Sequence, residues 1–301
     1  MKYFTASKIE SIVFHTINSL FLCLLAFITL YPFWNTIAIS FNEAMDSIRG
    51  GVTFWPRKFT LFNYEVLFRT DAIPRAFMVS VARTVINLVT SVFFTAMVAF
   101  ALSRQEFVLR RPLTFILILS MYINAGLIPT FLLIRNLGML NSFWVYIIPG
   151  IVNAFNFVVM RTYMRTIPES IIESARIDGY GDFYIFVRII LPLCLPVLAT
   201  IGLFVAVGSW NAWFDTMIYN SGSPHLHTLQ YKLMEYLQAS QTRGRSAGDA
   251  MSLSQMAQTS TVTPLSIRAA ITVIAAAPIL FVYPFMQRYF VVGLNVGGVK
   301  E

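Results

Sequence analysis

"TVINLVTSVFFTAMVAFALS" (84–103) runs for twenty residues without an Asp, Glu, Lys or Arg. That is the ~20 residues a helix needs to cross the hydrocarbon of a bilayer. A core helix of a soluble protein is rarely this long without a polar face. Working outward, five more charge-free runs have the same character: Thr16–Asn42, Pro112–Ile134, Asn141–Met160, Ile189–Phe214 and Ala269–Met286. The chain of 301 residues is 57% hydrophobic and only 12% charged, about half the roughly 25% of a soluble domain. The reading is an all-α membrane protein with six transmembrane helices. They fall at about 13–38, 80–103, 113–134, 141–162, 191–216 and 267–288 of a single domain, 1–301.

Lys2 and Lys8 precede the first run as they would in a secretory signal. The run outlasts a signal's apolar region and no A-x-A-like site follows, so it reads as an uncleaved span. Cys23 and Cys194 fall in different runs and form no disulfide or metal pattern. A net charge of +8 without a basic cluster interleaved with aromatics argues against nucleic acid. It suits lipid contact through basic cytoplasmic loops. Basic residues are numerous on both sides, and orientation rests on the short loop "SRQEFVLRR" (103–111), whose three arginines flank span ends. The expectation is N-in, C-in, in a cytoplasmic membrane.

Two outer segments follow from that orientation, about 43–75 and 219–266. In the first, Gly50-Gly51 and Trp55-Pro56 suggest a turn before a short packed element. The second carries an amphipathic helix and then a polar stretch, 239–263. His225 and His227 lie in its Ser/Pro-rich opening with no third ligand nearby, and are expected to be solvated, so no metal site is assigned. Prolines inside the runs, among them Pro129, Pro149, Pro196, Pro278 and Pro284, each remove a backbone donor and kink a helix. No internal repeat is visible, which counts against a secondary transporter built from inverted halves.

One polar segment, "RTIPESIIESARIDGYGDFYIFVRIILPLCLP" (165–196), interrupts the greasy pattern. Thr166 can cap a helix, with Pro168 and Glu169 in its first turn. That helix would end near Ile177, where Asp178-Gly179 makes a turn. A second short helix, about 181–190, would lead to Pro192 and the fifth span. Ile171, Ile172, Ala175 and Tyr180 can form one apolar patch beside a flank of Glu169, Glu173 and Arg176. Ser174 and Ala175 are small enough for close backbone approach. Such a helix-turn-helix can dock in a partner's groove or rest on lipid headgroups.

The segment resembles the EAA loop of ABC-importer permease subunits: E-A-A, three residues, G, nine residues, I-x-L-P. Here Glu173-Ser174-Ala175 is followed at those spacings by Gly179 and by Ile189-Ile190-Leu191-Pro192, with Ser174 for the first alanine. "LIPTFLLIRNLGMLNSFWVYIIPGI" (127–151), "SWNAWF" (209–214), "WPRKFTLFNYEVLF" (55–68) and "QRYFVVGLNVGGVKE" (287–301) are similar to the carbohydrate-uptake branch. Within it the likeness is to maltose-type second permeases, and most of all to LplC/YtcP-like ones. The resemblance implies the ABC type I importer permease fold, with 165–191 as a cytoplasmic coupling loop. Glu173, Ser174, Ala175, Arg176, Asp178, Gly179, Ile189, Leu191 and Pro192 would couple it to an ATPase. It also implies the partners: a homologous second permease, two ATPase subunits that carry the ATP and Mg, and an extracytoplasmic solute-binding protein.

The chain has no Gly-Lys pair for a P-loop and no nucleophile-base constellation, so no catalytic residue and no cofactor of its own are expected. A carbohydrate path needs hydroxyl-matching polar groups and aromatic faces in a cavity among apolar helices. Tyr122, Asn124, Asn153, Asn156, Trp210, Asn211 and Trp213 meet that description, with Asn87 beside them. The same residues also suit interhelical hydrogen bonds and interfacial anchoring. In maltose-type pairs the partner permease holds most of the sugar. Outer arginines are compatible with an acidic, uronide-type oligosaccharide. The competing class, a secondary transporter or channel for a small polar solute, needs ionisable residues within the spans, and the charge-free runs supply none.

Overall fold

The computed structural model describes residues 2–69, 71–243 and 263–294. Among them the chain is helical, and its one β feature is an isolated bridge between Asn42 and Phe59. The helices are α1 Lys2–Ser40, α2 Ala44–Ile48, α3 Phe62–Arg69, α4 Ala72–Ser103, α5 Arg110–Tyr122, α6 Leu127–Asn136 and α7 Ala154–Met164. They continue as α8 Glu169–Ile177, α9 Asp182–Ile185, α10 Leu191–Leu193, α11 Leu195–Asn211, α12 Phe214–Tyr219, α13 Leu229–Arg243 and α14 Pro264–Leu294.

Three stretches are helical, long and apolar enough to cross a membrane: Glu10–Ser40, Ala72–Ser103 and Pro264–Val282. They coincide with the expected first, second and sixth spans. Two further candidates are bent pairs. Phe143–Gly150 meets α7 at 48°, and Asp182–Leu193 meets α11 at 83°. The stretch expected as a third span is two short helices, α5 and α6.

Each break has a local cause. Between α5 and α6 the Asn124 Oδ1 accepts from the Gly126 N–H at 2.9 Å, and Gly126 has φ +86°. An Asx turn followed by a left-handed glycine competes with continued helix. Ahead of α7, Asn153 caps the helix by accepting from the Asn156 N–H at 3.1 Å, the ordinary role of an N-cap asparagine. The break ahead of α11 reflects Pro192 and Pro196, which lack the donors that residues 188 and 192 need as helical acceptors. The chain answers with a π-helical stretch, Phe186–Ile190, and a non-helical Cys194 at the bend.

Two compact units can be recognised, residues 1–70 with 236–276 and residues 71–235 with 277–301. In the first, α1 leaves its apolar side chains exposed from Ile12 to Phe33, as a lipid-facing helix does. The segment after it is a tight knot. Buried Asn42 donates to Asp46 and Ser47 and accepts from the Lys58 N–H, while Asn63 donates to the Ser40 and Asn42 carbonyls. This is the turn and packed element that the Gly and Trp-Pro pairs suggested.

In the second unit α4 packs along α7 and α11, and one core gathers Ala96, Phe100, Phe157, Met160, Ile172, Phe186 and Ile201. Here His227 departs from expectation. It is buried, its ring edge-on to Tyr231 at 4.6 Å, because the 224–229 turn folds onto α4 through a bond from the Leu229 N–H to the Ser80 Oγ. Most of the polar stretch 239–263 and the last seven residues lie outside the described residues.

Candidate functional site

The second unit holds two constellations that sequence reasoning pointed toward. The first is the polar interruption. Its helix α8 ends at Ile177, and the end is a Schellman motif: the Gly179 N–H reaches the Arg176 carbonyl at 2.9 Å and the Tyr180 N–H the Ala175 carbonyl at 3.1 Å. Gly179 supplies the required φ of +86°, a value that strains any side-chain-bearing residue. The start of α8 differs from expectation. Pro168 is the N-cap residue without a side-chain bond, and the Thr166 hydroxyl instead donates back to the Tyr163 carbonyl at 2.7 Å.

The expected apolar patch on α8 divides in two. Ile172 and Ala175 are buried in the unit's own core, whereas Ile171 and Tyr180 stay on the surface with Ile177, which is 87% exposed. Ala175 is therefore small because the bundle is close. Glu173, Ser174, Asp178 and Gly179 are exposed. Past the turn Ile189 and Leu191 pack against the core from the π-helical stretch and α10, and exposed Pro192 follows.

Arg176 is the organiser of this region. It grips Glu106 with both carboxylate oxygens at 2.6 and 2.8 Å and reaches Asp182 at 2.9 Å. One side chain thus joins the 104–109 loop, α8 and α9. The Arg176 bond holds the Glu106 carboxyl below its ordinary range, and its two carboxylates push the guanidinium's own value upward, Glu106 first. Glu106 was not anticipated from sequence.

The second constellation is a cavity of about 600 Å³ walled by α4, α7, α11 and the 143–150 segment. Asn87, Asn153 and Asn156 line it, as do Ser91, Ser209 and Tyr219. Asn87 donates to the Ser209 Oγ at 2.7 Å. Tyr122, Asn124, Trp210, Asn211 and Trp213 are not on its wall. Tyr122 is 82% exposed at the broken end of α5, Asn124 makes the turn, and Trp210 is buried edge-on to Phe77.

At this cavity lies an ion pair that the charge-free runs hid. The charge-free runs themselves hold no ionisable side chain, but α4 begins at Ala72, ahead of its run, and so takes in Arg83. Arg83 is 4% exposed, forks onto both oxygens of Asp215, donates to the Ala212 carbonyl at 3.2 Å, and lies 4.5 Å over the Tyr146 ring. Two run boundaries carried the clue: Arg83 immediately precedes one run and Asp215 immediately follows another.

Comparison with known proteins decides the kind of molecule. Residues 91–295, more than half of the chain, match the family described as "Binding-protein-dependent transport system inner membrane component". The chain belongs to that family. Among curated relatives, this permease is 37% identical over 280 residues to the polygalacturonan/rhamnogalacturonan transport system permease protein YtcP of Bacillus subtilis, covering 93% of this chain and 96% of that one. It is 36% identical to protein LplC of the same organism, covering 96% and 95%. Among solved structures it is similar to a chain in the crystal structure of a bacterial ABC transporter involved in the import of the acidic polysaccharide alginate. There the TM-score is 0.83 at 30% identity, over 92% of this chain and 96% of that one. The permease has the ABC importer permease fold and is an integral component of the cytoplasmic membrane. Its family is the membrane component of such transporters, not the catalytic one.

Proposed function

We infer that this permease carries oligosaccharides, acidic ones included, through the membrane as one half of a heterodimer of homologous permeases. Two ATPase subunits supply the work, and an extracytoplasmic binding protein delivers the sugar. Six spans are assigned, with α5 and α6 forming a broken third one and the bent pairs the fourth and fifth, N-in and C-in. α8 is the cytoplasmic coupling helix. The polar wall with Arg83, Asn87, Asn153 and Asn156 lines the sugar path.

The observation that carries this reading is the two-sided nature of α8. Ile172 and Ala175 lock one side into the transmembrane core, while Glu173, Ser174 and Ile177 are presented outward. Such a helix transmits a push from a partner directly to the packed bundle. The acidic-sugar element is supported by the names of the relatives.

The test is to express Glu173→Ala and Gly179→Ala in the assembled transporter. Both insert into the membrane, but ATPase co-purification or uptake of labelled oligogalacturonide falls at least about tenfold. Normal co-purification and uptake in both variants would remove the coupling assignment.

A further inference from the structure

A second cavity in the same unit, of about 550 Å³, lies away from the sugar path. Five arginines line it: Arg104, Arg110, Arg111, Arg161 and Arg165. Among the described residues a single carboxylate, Glu169, shares the wall, 3.9 Å from the Arg104 Nη1. Arg161 spends its Nε–H on the Leu102 carbonyl at 2.9 Å, and Arg110, Arg111 and Arg165 have no carboxylate partner among the described residues. Four positive charges, two half-buried and two exposed, are left without a carboxylate beside them, and together they make a locally positive wall that attracts an anion.

Two further features point to an anion. Arg110 and Arg111 are the first two residues of α5, where the helix dipole already favours negative charge, and no acidic residue occupies that turn. Thr114 is only 8% exposed, lines the cavity, and its Oγ1 has no hydrogen-bond partner. A buried hydroxyl without a partner is a position where a ligand or water oxygen belongs.

The opposite end of the wall is greasy. Phe115 and Ile118 line it, and the same helix exposes Ile116 and Leu119. We propose that this cavity binds the phosphate headgroup of an anionic phospholipid, with an acyl chain laid along the apolar face of α5. The arginine forks and the α5 N-terminus receive the phosphate. A free phosphate ion would use the basic end and leave the apolar end without purpose. The inference rests on α5 lying in the bilayer, as in the span assignment above. A lipid held here ties α5 to α7 and to the start of α8, the coupling helix itself.

The experiment uses the transporter assembled with its partner subunits, purified in detergent. It is offered phosphatidylglycerol, phosphatidylcholine or inorganic phosphate, and bound lipid is counted by native mass spectrometry. Phosphatidylglycerol is retained over phosphatidylcholine, and inorganic phosphate does not displace it. Arg111→Gln with Arg165→Gln weakens retention roughly twentyfold, about fivefold for each charge removed, whereas Arg111→Lys with Arg165→Lys keeps the preference. Equal retention of the two lipids, unchanged binding in the glutamine variant, or complete displacement by inorganic phosphate overturns the assignment. Subunit assembly is scored on the same sample, so an intact transporter without lipid preference sinks this inference and not the coupling one.

Discussion

Arg83 and Arg176 use the same chemistry in opposite surroundings. Arg83 forks onto Asp215 with two nitrogens and takes the Ala212 carbonyl as a further acceptor, whereas Arg176 donates from Nη1 to both Glu106 oxygens and from Nε and Nη2 to Asp182. Arg83 does so at 4% exposure inside a long apolar helix, whereas Arg176 sits partly in water at the edge of the bundle. A charge deprived of its partner in the first place has little solvent to fall back on, since the Arg83 side chain is 5% exposed and that of Asp215 25%. In the second, water replaces the partner at little cost. The buried pair is therefore an architectural commitment that shapes one end of the cavity. The surface cluster is an adjustable hinge pin between the 104–109 loop, α8 and α9.

The comparison breaks most visibly at Arg83. Arg83→Gln leaves the partly exposed Asp215 carboxylate without its partner, and the expected loss is about 2–3 kcal/mol, below that of a fully buried pair, read as a drop in denaturant midpoint of the detergent-solubilised protein. Replacing both partners together, Arg83→Met with Asp215→Leu, should recover most of that loss while still damaging transport. A single variant as stable as the parent would show that the pair is not buried in the folded protein.

A middle-sized effect separates the two faces of α8. Ala175→Leu forces extra methylenes into the core and should cost about 1–3 kcal/mol by the same measurement. Ser174→Leu, on the exposed face, should leave stability nearly unchanged yet disturb ATPase association. If both variants behaved alike, the division of α8 into an inner and an outer face would be wrong.

The smallest effect belongs to the surface cluster and is best read through pH. The Glu106 carboxyl is held below its usual 4.5 by Arg176. Its contribution is therefore fully present at neutral pH and is lost as pH falls through the depressed value. The difference in thermal midpoint between parent and Glu106→Gln should be small at pH 7 and vanish in acid below the ordinary carboxylate range. A difference that grew on acidification would reverse the sign and exclude the bond.

Much of the helix pattern was legible in the sequence because its causes are local. α4 and α14 are each built around a long charge-free run, and α8 ends at Asp178-Gly179 because glycine alone adopts that φ without strain. The breaks at Asn124-Gly126 and at Pro192 with Pro196 also had local signals, yet composition alone read those stretches as continuous spans. Three of the path candidates lie off the cavity wall for a different reason. Trp210, Asn211 and Trp213 share one helix end with Ser209, and only packing decides which of the four turns toward the cavity.

By itself, then, the sequence determined a membrane-embedded helical chain with a helix-glycine-helix interruption, because apolar length, glycine and proline act within a few residues. Tertiary structure alone decided the pairing of Arg83 with Asp215, 132 residues apart, and of Arg176 with Glu106, 70 apart. An ion pair depends on where folding places its two halves, and separation along the chain carries no record of that. The same holds for the five arginines of the basic cavity, which come from three stretches and meet only when α4, α5 and α7 pack.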